Sequence, residues 1–475
     1  MMFQSAAPQL TQLKKATQID QVYRVLQPEP LLTAEQLNTF YTPEINVVRG
    51  GDKMERLQLG LERAYADRLH FKACVMGHRG VGKSTEISRL LTQISDKFQP
   101  IRFSAVDVLD PGSFKPLDVL LLMMMEVAKQ TARPISEGGA NHRPSDRRLQ
   151  EIWDWFATEK ETRELAQEAS TKLAGGIGAG TDSLWQKVLG LFATLKGEMK
   201  FASARKKEVI SYRITRLDTL IELANRLLDE CNLLLRETTG KQWLIVGEDF
   251  DRAGIPSAQI EDLFITYANI FQELRSHLIF TLPISLYYSA KAARLPFSSH
   301  QSFVIPDTPM FDPEHLPNER GQGAVERALA VRMDLGLFEP TCLPRLIVAS
   351  GGNLRNLFSL VNYAADGAAI RGAALINKAD ADAAIVNLRS DYERRLGQSP
   401  YDAQNVGYED KAALLVRIYH GEKGAQMTNS TLYSLLNARA VQEFNGQRWF
   451  GIHPLVVDIL VAQKHLSEDA LGGTF

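Results

Sequence analysis

The stretch FKACVMGHRGVGKSTEISRLL, residues 71–91, combines three local signals without interruption. Residues 73–76 form an apolar run of the kind that is typical of a buried strand. A turn rich in glycine follows at 77–82. Apolar side chains then recur at helical spacing, at Ile87, Leu90, Leu91 and Ile94. The stretch therefore predicts a strand, a tight turn and an amphipathic helix, which is the unit from which parallel sheets covered by helices are built.

The turn fits the pattern G-x-x-x-x-G-K-[ST] without a mismatch. Glycines let the backbone wrap so that successive N–H groups face phosphate oxygens, and the helix that follows directs the positive end of its dipole at the same anion. In this motif the lysine reaches the β- and γ-phosphates, and the hydroxyl after it ligates Mg²⁺. The sequence therefore predicts ATP and Mg²⁺ as cofactors. The predicted binding residues are Gly77, His78, Arg79, Gly80, Val81, Gly82, Lys83, Ser84 and Thr85.

A second apolar run ends in carboxylates within WLIVGEDFDR, residues 243–252. In P-loop ATPases a buried strand ends beside the phosphates, and its terminal acids hold the metal shell and polarise the attacking water. We therefore predict Glu248 and Asp249, together with Lys83, as catalytic residues, and both acids with Ser84 as metal ligands. Which acid serves the metal and which the water stays open. The simpler alternative is that the acids only solvate a loop.

Three further strands are predicted at IRFSAVDV (101–108), LIFTLPIS (278–285) and SFVI (302–305). Their alternation with helical segments predicts an α/β fold, with a mostly parallel sheet covered on both faces. Adjacent acids after a strand favour the division of P-loop proteins in which a fourth strand lies between the two strands that carry the motifs. We therefore expect a P-loop NTPase core.

Past the strands, IVASGGNLRNLFSLVNYAA (347–365) resembles the helical lid of AAA+ and related STAND ATPases. Together with GHRGVGKST, WLIVGEDFDR and LIFTLP, it carries a resemblance that covers residues from about 70 to 400. Over this range the chain is similar to AAA+/STAND-type bacterial ATPases, and also to KAP-type and origin-recognition ATPases. The resemblance implies that Arg355 is directed at the γ-phosphate, in a catalytic and nucleotide-binding role. It also implies that Thr281 is a polar sensor of the nucleotide. The alternatives are an ordinary helix start at Asn353 and an ordinary strand threonine.

These signals divide the chain into four parts. An N-terminal arm covers 1–45, and the ATPase core covers 46–310. The core carries a helical insertion at about 112–240, which is far longer than a strand-to-helix crossover needs. A helical lid is expected at 311–400 and a winged-helix-like domain at 405–475.

Two segments of the insertion have distinct patterns. Apolar residues recur in steps of three and four over 213–236, which predicts a long amphipathic helix packed on the sheet. Residues 175–207 begin with glycines, continue with an apolar stripe and end in basic side chains. An internal packing helix with a solvated basic end is favoured there, and a partner contact or a helix on a membrane surface are the alternatives.

The last segment predicts helices at 413–420 and 429–439, a hairpin at 440–452 with an Asn-Gly turn, and a closing helix at 453–463. Two helices followed by a hairpin suggest a winged-helix-like domain. A winged helix that reads DNA presents Lys and Arg on its second helix and its wing. Those two elements offer one arginine each, Arg439 and Arg448, so protein packing or a partner contact is favoured over DNA.

Composition narrows the class of protein. The chain has 475 residues, of which 45% are hydrophobic and 23% charged, and a formal net charge of −2. This balance argues against a protein that coats nucleic acid by charge alone. Three cysteines far apart indicate free thiols in a reducing compartment. The apolar run at 119–128 is too short to span a bilayer and contains Glu126. We therefore expect a cytoplasmic protein without a membrane partner.

The leading functional hypothesis is an ATPase that acts as a nucleotide-controlled switch or assembly platform, as a homo-oligomer or with a separate effector protein. Its resemblance to bacterial STAND-like ATPases suggests signalling or antiphage defence, which is an analogy of fold. The alternative is an origin-recognition-like or transposition-type regulator whose C-terminal domain binds DNA. A scaffold that holds ATP without hydrolysing it is a third hypothesis, and the intact acids count against it.

Overall fold

A five-stranded sheet forms the centre of the computed structural model, which describes residues 14–132, 143–157, 184–191, 217–252, 254–397, 406–444 and 449–470. Its strands are β1 (Lys72–Met76), β2 (Phe98–Ser104), β3 (Gln242–Glu248), β4 (His277–Leu282) and β5 (Ser302–Val304). Their order is β2-β3-β4-β1-β5, and every neighbouring pair is parallel. The predicted parallel sheet is confirmed, and β4 lies between the two motif strands as predicted. The fold is a P-loop NTPase core with helical additions.

Helices cover the sheet and extend beyond it. Those before β3 are α1 (Ile19–Val25), α2 (Ala34–Phe40), α3 (Glu44–Val48), α4 (Lys53–Asp67), α5 (Lys83–Gln93), α6 (Ala105–Val108), α7 (Pro116–Thr131), α8 (Asp146–Ala157), helical residues 184–191, and α9 (Leu217–Thr239). Between β3 and β5 lie α10 (Ser257–Glu261), α11 (Asn269–Glu273) and α12 (Ile284–Tyr287). The helices after β5, which we call the lid helices, are α13 (Glu319–Ala330), α14 (Cys342–Ala349), α15 (Leu354–Ile370) and α16 (Lys378–Leu396).

The chain ends in what we call the C-terminal unit, residues 406–444 and 449–470. It contains α17 (Tyr408–Tyr419), α18 (Ser430–Ala438), β6 (Val441–Phe444), β7 (Trp449–Ile452) and α19 (Pro454–Ala462). The two strands pair antiparallel, as the predicted hairpin requires, while its turn at 445–448 lies outside the described residues. In the unit's packing, α18 lies against α12 and α19 lies against α16. The C-terminal unit therefore contacts both the core and the lid helices.

The predicted strand at 101–108 is wrong over its second half. β2 ends at Ser104, which pairs with Glu248, the last residue of β3. β2 lies at the edge of the sheet, and in the described part of the chain its only neighbour β3 ends at that pair, so the residues beyond it have no strand to bond to. Ala105–Val108 form helix α6 instead. Ala105 and Val108 are still buried, so a short helical turn satisfies the same apolar residues that suggested a strand.

The insertion between β2 and β3 packs on one face of the sheet. The predicted helix at 213–236 is observed as α9, which contacts α7 and β3, and its first predicted residues, 213–216, lie outside the described part. Only 184–191 of the segment 175–207 is described, and it is helical there with Val188 and Leu191 buried in the main core. That part agrees with the internal packing interpretation. The basic end of the segment lies outside the described residues.

None of the helices in the described ranges combines the length and the apolar character that crossing a bilayer requires.

Phe250 anchors the turn that follows β3. Its ring is 1% exposed and packs edge-on against Phe114, Phe264 and Phe280, with centroid distances of 6.1, 5.5 and 5.7 Å. Because Phe250 lies between Asp249 and Asp251, burying this ring fixes the backbone from which both carboxylates project. The apolar core therefore sets the position of the acidic turn.

Phe250→Ala is expected to lower the free energy of unfolding by about 3–5 kcal/mol, because the alanine leaves a cavity among well-packed rings. Equilibrium urea denaturation followed by tryptophan fluorescence measures the change. Tyr363→Ala is the matched control, since that ring is 47% exposed and its loss should change stability by less than about 0.5 kcal/mol. Similar losses in the two variants would show that Phe250 is not an anchor.

Candidate functional site

The glycine-rich turn joins β1 to α5 at the carboxyl edge of the sheet. Gly77, Gly80 and Gly82 have φ angles of 147°, 94° and 101°, a region in which L side chains are strained. At Gly80 a Cβ atom would also lie 2.4 Å from the side-chain oxygen of Asn353, so the lid approaches the turn too closely for any other residue. The turn therefore requires these glycines for its shape, and Gly80 also for its contact with the lid.

Lys83, the first residue of α5, lies folded against this turn. Its Nζ donates to the backbone oxygens of Gly77 and His78, at 2.8 and 3.0 Å. It also lies 2.6 Å from Oδ2 of Asp251. The lysine is 6% exposed, so the carboxylate and the two carbonyls balance an almost fully buried charge. Asp251 received no functional role from the sequence, although three acids in four residues were the available signal.

Glu248 lies at the end of β3, where Arg102 of β2 holds it. Oε2 accepts from Nε and Nη2 of Arg102 at 2.9 and 2.5 Å. Arg102 also donates to the Ser88 hydroxyl of α5 at 2.8 Å. The other carboxylate oxygen, Oε1, is buried without a hydrogen-bond partner. Glu248 therefore keeps one orientation and offers an unused acceptor at the cavity wall.

Asp249 adopts a left-handed backbone conformation, with a φ of 65°. Such a conformation is uncommon outside glycine and concentrates at functional sites. Its N–H donates to the Thr281 hydroxyl at 3.0 Å, and its Oδ2 accepts from the Ser104 hydroxyl at 2.7 Å. Oδ1 lies 3.3 Å from Nε of Arg252. β2 and β4 therefore both fix this acid.

Arginines surround the outer side of the turn. Arg355 begins α15, where the Asn353 side chain caps the helix by accepting the N–H of Arg355 at 3.1 Å. Burial, followed by the charges of Arg79 and Arg439, lowers the pKa of Arg355 to about 10. Its Nε is buried without a hydrogen-bond partner. Like charges around an unpartnered donor make this a favourable place for an anion.

These residues meet at a cavity of about 1130 Å³. Of the predicted site residues, those that line it are Arg79, Gly80, Val81, Gly82, Lys83, Ser84, Thr85, Glu248, Asp249 and Arg355. Gly77, His78 and Thr281 lie behind this wall. Thr281 is 1% exposed and contacts Asp249, so in this structure it supports the acidic turn from behind.

The N-terminal segment supplies a wall of the cavity that sequence reasoning missed. Residues 28–33 and 40–42 line it, together with Ile45 and Arg49. The Leu31 N–H donates to the Thr85 hydroxyl at 3.2 Å. These contacts join residues far apart in the chain, and the signals available locally were only the prolines of LQPEPLL and the capping box of α2. Within the predicted N-terminal arm at 1–45, residues 28–33 and 40–42 and Ile45 therefore line the cavity.

A buried network supports the outer side of the turn. His78 Nδ1 lies 2.5 Å from Oδ2 of Asp307, and the Asp307 N–H donates to the Glu443 backbone oxygen at 2.9 Å. Burial acts to raise the pKa of Asp307, but the His78 charge and hydrogen bond outweigh it and the pKa is lowered. Burial, followed by the Asp307 carboxylate, raises the pKa of Glu443 to about 7. The C-terminal unit is thus bonded to the segment that holds the turn.

Comparison with known proteins gives similarity of structure only. No protein-family model matches the sequence, and no curated protein matches it. The chain is similar to Cdc6p from Pyrobaculum aerophilum, with 13% identity over 94% of this chain and 98% of that chain and a TM-score of 0.37. For the ORC2 protein of Aeropyrum pernix, in ADPNP–ADP complexes, the identity is 13%, the coverage 93% and 98%, and the TM-score 0.40. The chain is also similar to a Walker-type ATPase of Pyrococcus abyssi, with 13% identity over 92% of this chain and 99% of that chain and a TM-score of 0.38.

Glu443→Gln is expected to flatten the pH dependence of stability between pH 5 and 8. The pKa of this carboxyl group is about 7 in the folded protein, whereas its ordinary value is 4.5. The group therefore binds its proton more tightly in the folded state. Stability is therefore lost as pH rises from about 4.5 to 7. Glutamine stays neutral, so the variant should melt at a higher temperature than the parent at pH 8, with a smaller difference at pH 5. Calorimetry at four pH values measures this.

The groups near Glu443 include Asp307, His78, Tyr288 and Lys53. All of them stay in place in Glu443→Gln, so the comparison isolates one carboxyl group. The exposed Glu409 of the same unit provides the control, and Glu409→Gln should leave the pH profile of the parent unchanged. A melting-temperature difference between Glu443→Gln and the parent that is constant across pH would contradict the raised pKa.

Proposed function

We propose that this chain binds MgATP in the cavity and hydrolyses it, and that the bound nucleotide controls how the lid helices and the C-terminal unit contact the core. The observation that carries the proposal is that Lys83, Glu248 and Arg355 line one cavity although they come from three separate elements. A cation at a glycine-rich turn, an acid with an unused oxygen and an arginine with an unused donor together suit a nucleoside triphosphate and its metal.

In this proposal the phosphates lie along the turn at 80–85, where backbone N–H groups and the amino end of α5 attract anions. Lys83 then exchanges its contact with Asp251 for phosphate oxygens, and Arg355 supplies a second cation from the lid. The base lies beyond the turn, where apolar residues of the N-terminal segment and of the lid helices line the cavity. These are Leu31, Phe40, Ile45, Ala328, Leu354 and Phe358.

The acids divide into two roles. Oε1 of Glu248 is a buried acceptor without a partner at the wall that Ser84 also lines, so these residues fit Mg²⁺, which commonly takes one or two protein oxygens and completes its shell with phosphate and water. When bound, the ion neutralises phosphate charge. Asp249 is 29% exposed and is oriented by Ser104 and Arg252. We assign it to orient the attacking water and to accept its proton.

In the proposed switch, the bound nucleotide controls contact with a protein partner. Helix Ser430–Ala438 has no Lys or Arg in its sequence, and Arg439 at its end donates to the Arg79 backbone oxygen at 3.2 Å. The arginine that could have served a DNA-reading helix is therefore engaged with the core. We accordingly favour a nucleotide-dependent protein contact over DNA reading.

Lys83→Ala is expected to abolish ATP hydrolysis and to weaken MgATP binding more than tenfold, because charge-assisted hydrogen bonds to phosphate are lost. Phosphate release and calorimetric titration measure the two effects. Lys97→Ala is the matched control, since Lys97 precedes β2 at the opposite edge of the sheet and pairs with Glu62. Parental turnover in Lys83→Ala would remove the basis of the proposal.

Asp249→Asn is expected to slow hydrolysis by about 10²–10⁴-fold while MgATP still binds, because a positioned proton acceptor is lost. Glu248→Gln is expected instead to raise the Mg²⁺ concentration that gives half-maximal activity. Titrating Mg²⁺ at saturating ATP separates the two roles. Asp96→Asn, at the opposite edge of the sheet, is the control. A Mg²⁺ shift in Asp249→Asn with none in Glu248→Gln would reverse the assignment.

A further inference from the structure

Segments remote in sequence hold the outer side of the phosphate-binding turn through its backbone oxygens. The Arg79 oxygen accepts from Nδ2 of Asn353 at 3.0 Å and from Nη1 of Arg439 at 3.2 Å. The Val81 oxygen accepts from Nη1 of Arg49 at 2.8 Å. The donors belong to the lid, the C-terminal unit and the N-terminal segment. The turn is thus supported from three directions.

Peptide geometry connects these contacts to the cavity. No cis peptide bond occurs among the described residues, and in a trans peptide the C=O of one residue and the N–H of the next point in opposite directions. Donors that hold the Arg79 oxygen therefore also orient the N–H of Gly80. Gly80 lines the cavity, and its φ of 94° belongs to a backbone that glycine leaves flexible. Hydrogen bonds to the Arg79 oxygen therefore keep the Gly80 N–H in an orientation in which it can donate to a bound anion.

A second set of contacts fixes the C-terminal unit beside Arg439. The Asp307 N–H bonds the Glu443 oxygen at 2.9 Å, and Nε2 of Gln442 donates to the Gly351 oxygen at 2.8 Å. Asp307 and Glu443 are each 1% exposed. β6 therefore joins the segment behind the turn to the loop before α15. Arg439 lies two residues before the start of β6, so its position depends on this docking.

Electrostatic repulsion gives a second reason to connect the position of Arg439 with anion binding at the turn. Arg439 is one of the cations that lower the pKa values of Arg79 and Arg355, so the three guanidinium groups repel one another. A phosphate bound at the turn would offset this repulsion. Arg439 also has a left-handed φ of 62° at the end of α18. Such a backbone is strained for arginine and is maintained by surrounding contacts.

We propose that the C-terminal unit is a working part of the nucleotide site, with Arg439 as a positioning residue that holds the phosphate-binding turn in its binding shape. The inference rests on the proposed function. Because binding and docking are linked, whatever docking adds to nucleotide affinity, nucleotide adds to docking. A bound triphosphate therefore tightens the contact of β6 with the core, and loss of nucleotide loosens it.

The test uses the full chain and N-methylanthraniloyl-ATP with Mg²⁺, whose dissociation constant is read by fluorescence. Arg439→Met keeps the bulk of the side chain but removes the donor, and should raise the constant about tenfold, as for loss of a charged hydrogen bond. Arg439→Lys keeps a charged donor and should stay within about threefold of the parent. Arg417→Ala, in the same unit but paired with Glu422 at the surface, should leave the constant unchanged.

Hydrogen exchange of β6 and β7 distinguishes positioning from general stabilisation. In the parent, nucleotide should slow exchange of these strands, and in Arg439→Met that protection should be lost. Should Arg439→Met fail to fold, Arg439→Ala provides the same comparison. A parental constant and parental protection in the donor-free variant would overturn the inference and leave the proposed function standing. Absence of any binding by the parent would overturn the proposed function itself.

Discussion

The buried ammonium group of Lys83 is the constraint on which the site depends. A charge that is 6% exposed is costly unless partners compensate it, and Asp251 and the oxygens of Gly77 and His78 do so. This requirement places the end of β3 within reach of the start of α5. β4, which lies between β1 and β3, sets the distance between these two strands. The buried Phe250 ring fixes the backbone of the acidic turn beside Lys83.

Short-range signals predicted much of the core. The strand, glycine turn and helix at 71–91 were identified because each depends on local chemistry: apolar runs, permissive φ angles and helical spacing. The order of the motif strands was predicted from the adjacent acids Glu248 and Asp249, because such a pair is typical of P-loop proteins in which a further strand lies between the two motif strands. The overrun of β2 past Ser104 shows the limit of this reasoning, because strand length depends on the neighbouring strand.

Contacts between distant segments could not be predicted. Leu31 lies 54 residues before Thr85, and no periodicity in LQPEPLL reports their hydrogen bond. Arg439 was noted for its charge, but its direction depends on docking of the C-terminal unit, which in turn depends on Asp307 and on strand β6. The resemblance implies a nucleotide-sensing role for Thr281, with an ordinary strand threonine as the alternative, and its contact with the Asp249 N–H depends on tertiary register. The missed features are those that only packing determines.

In the proposed function, the cavity binds a magnesium nucleoside triphosphate through the glycine-rich turn. Isothermal titration calorimetry of the unmodified full chain with ATP, in the presence and absence of Mg²⁺, tests it most directly. We expect saturable binding with one site per chain, and tighter binding of ATP when Mg²⁺ is present. Absence of saturable heat up to millimolar ATP under both conditions would contradict it.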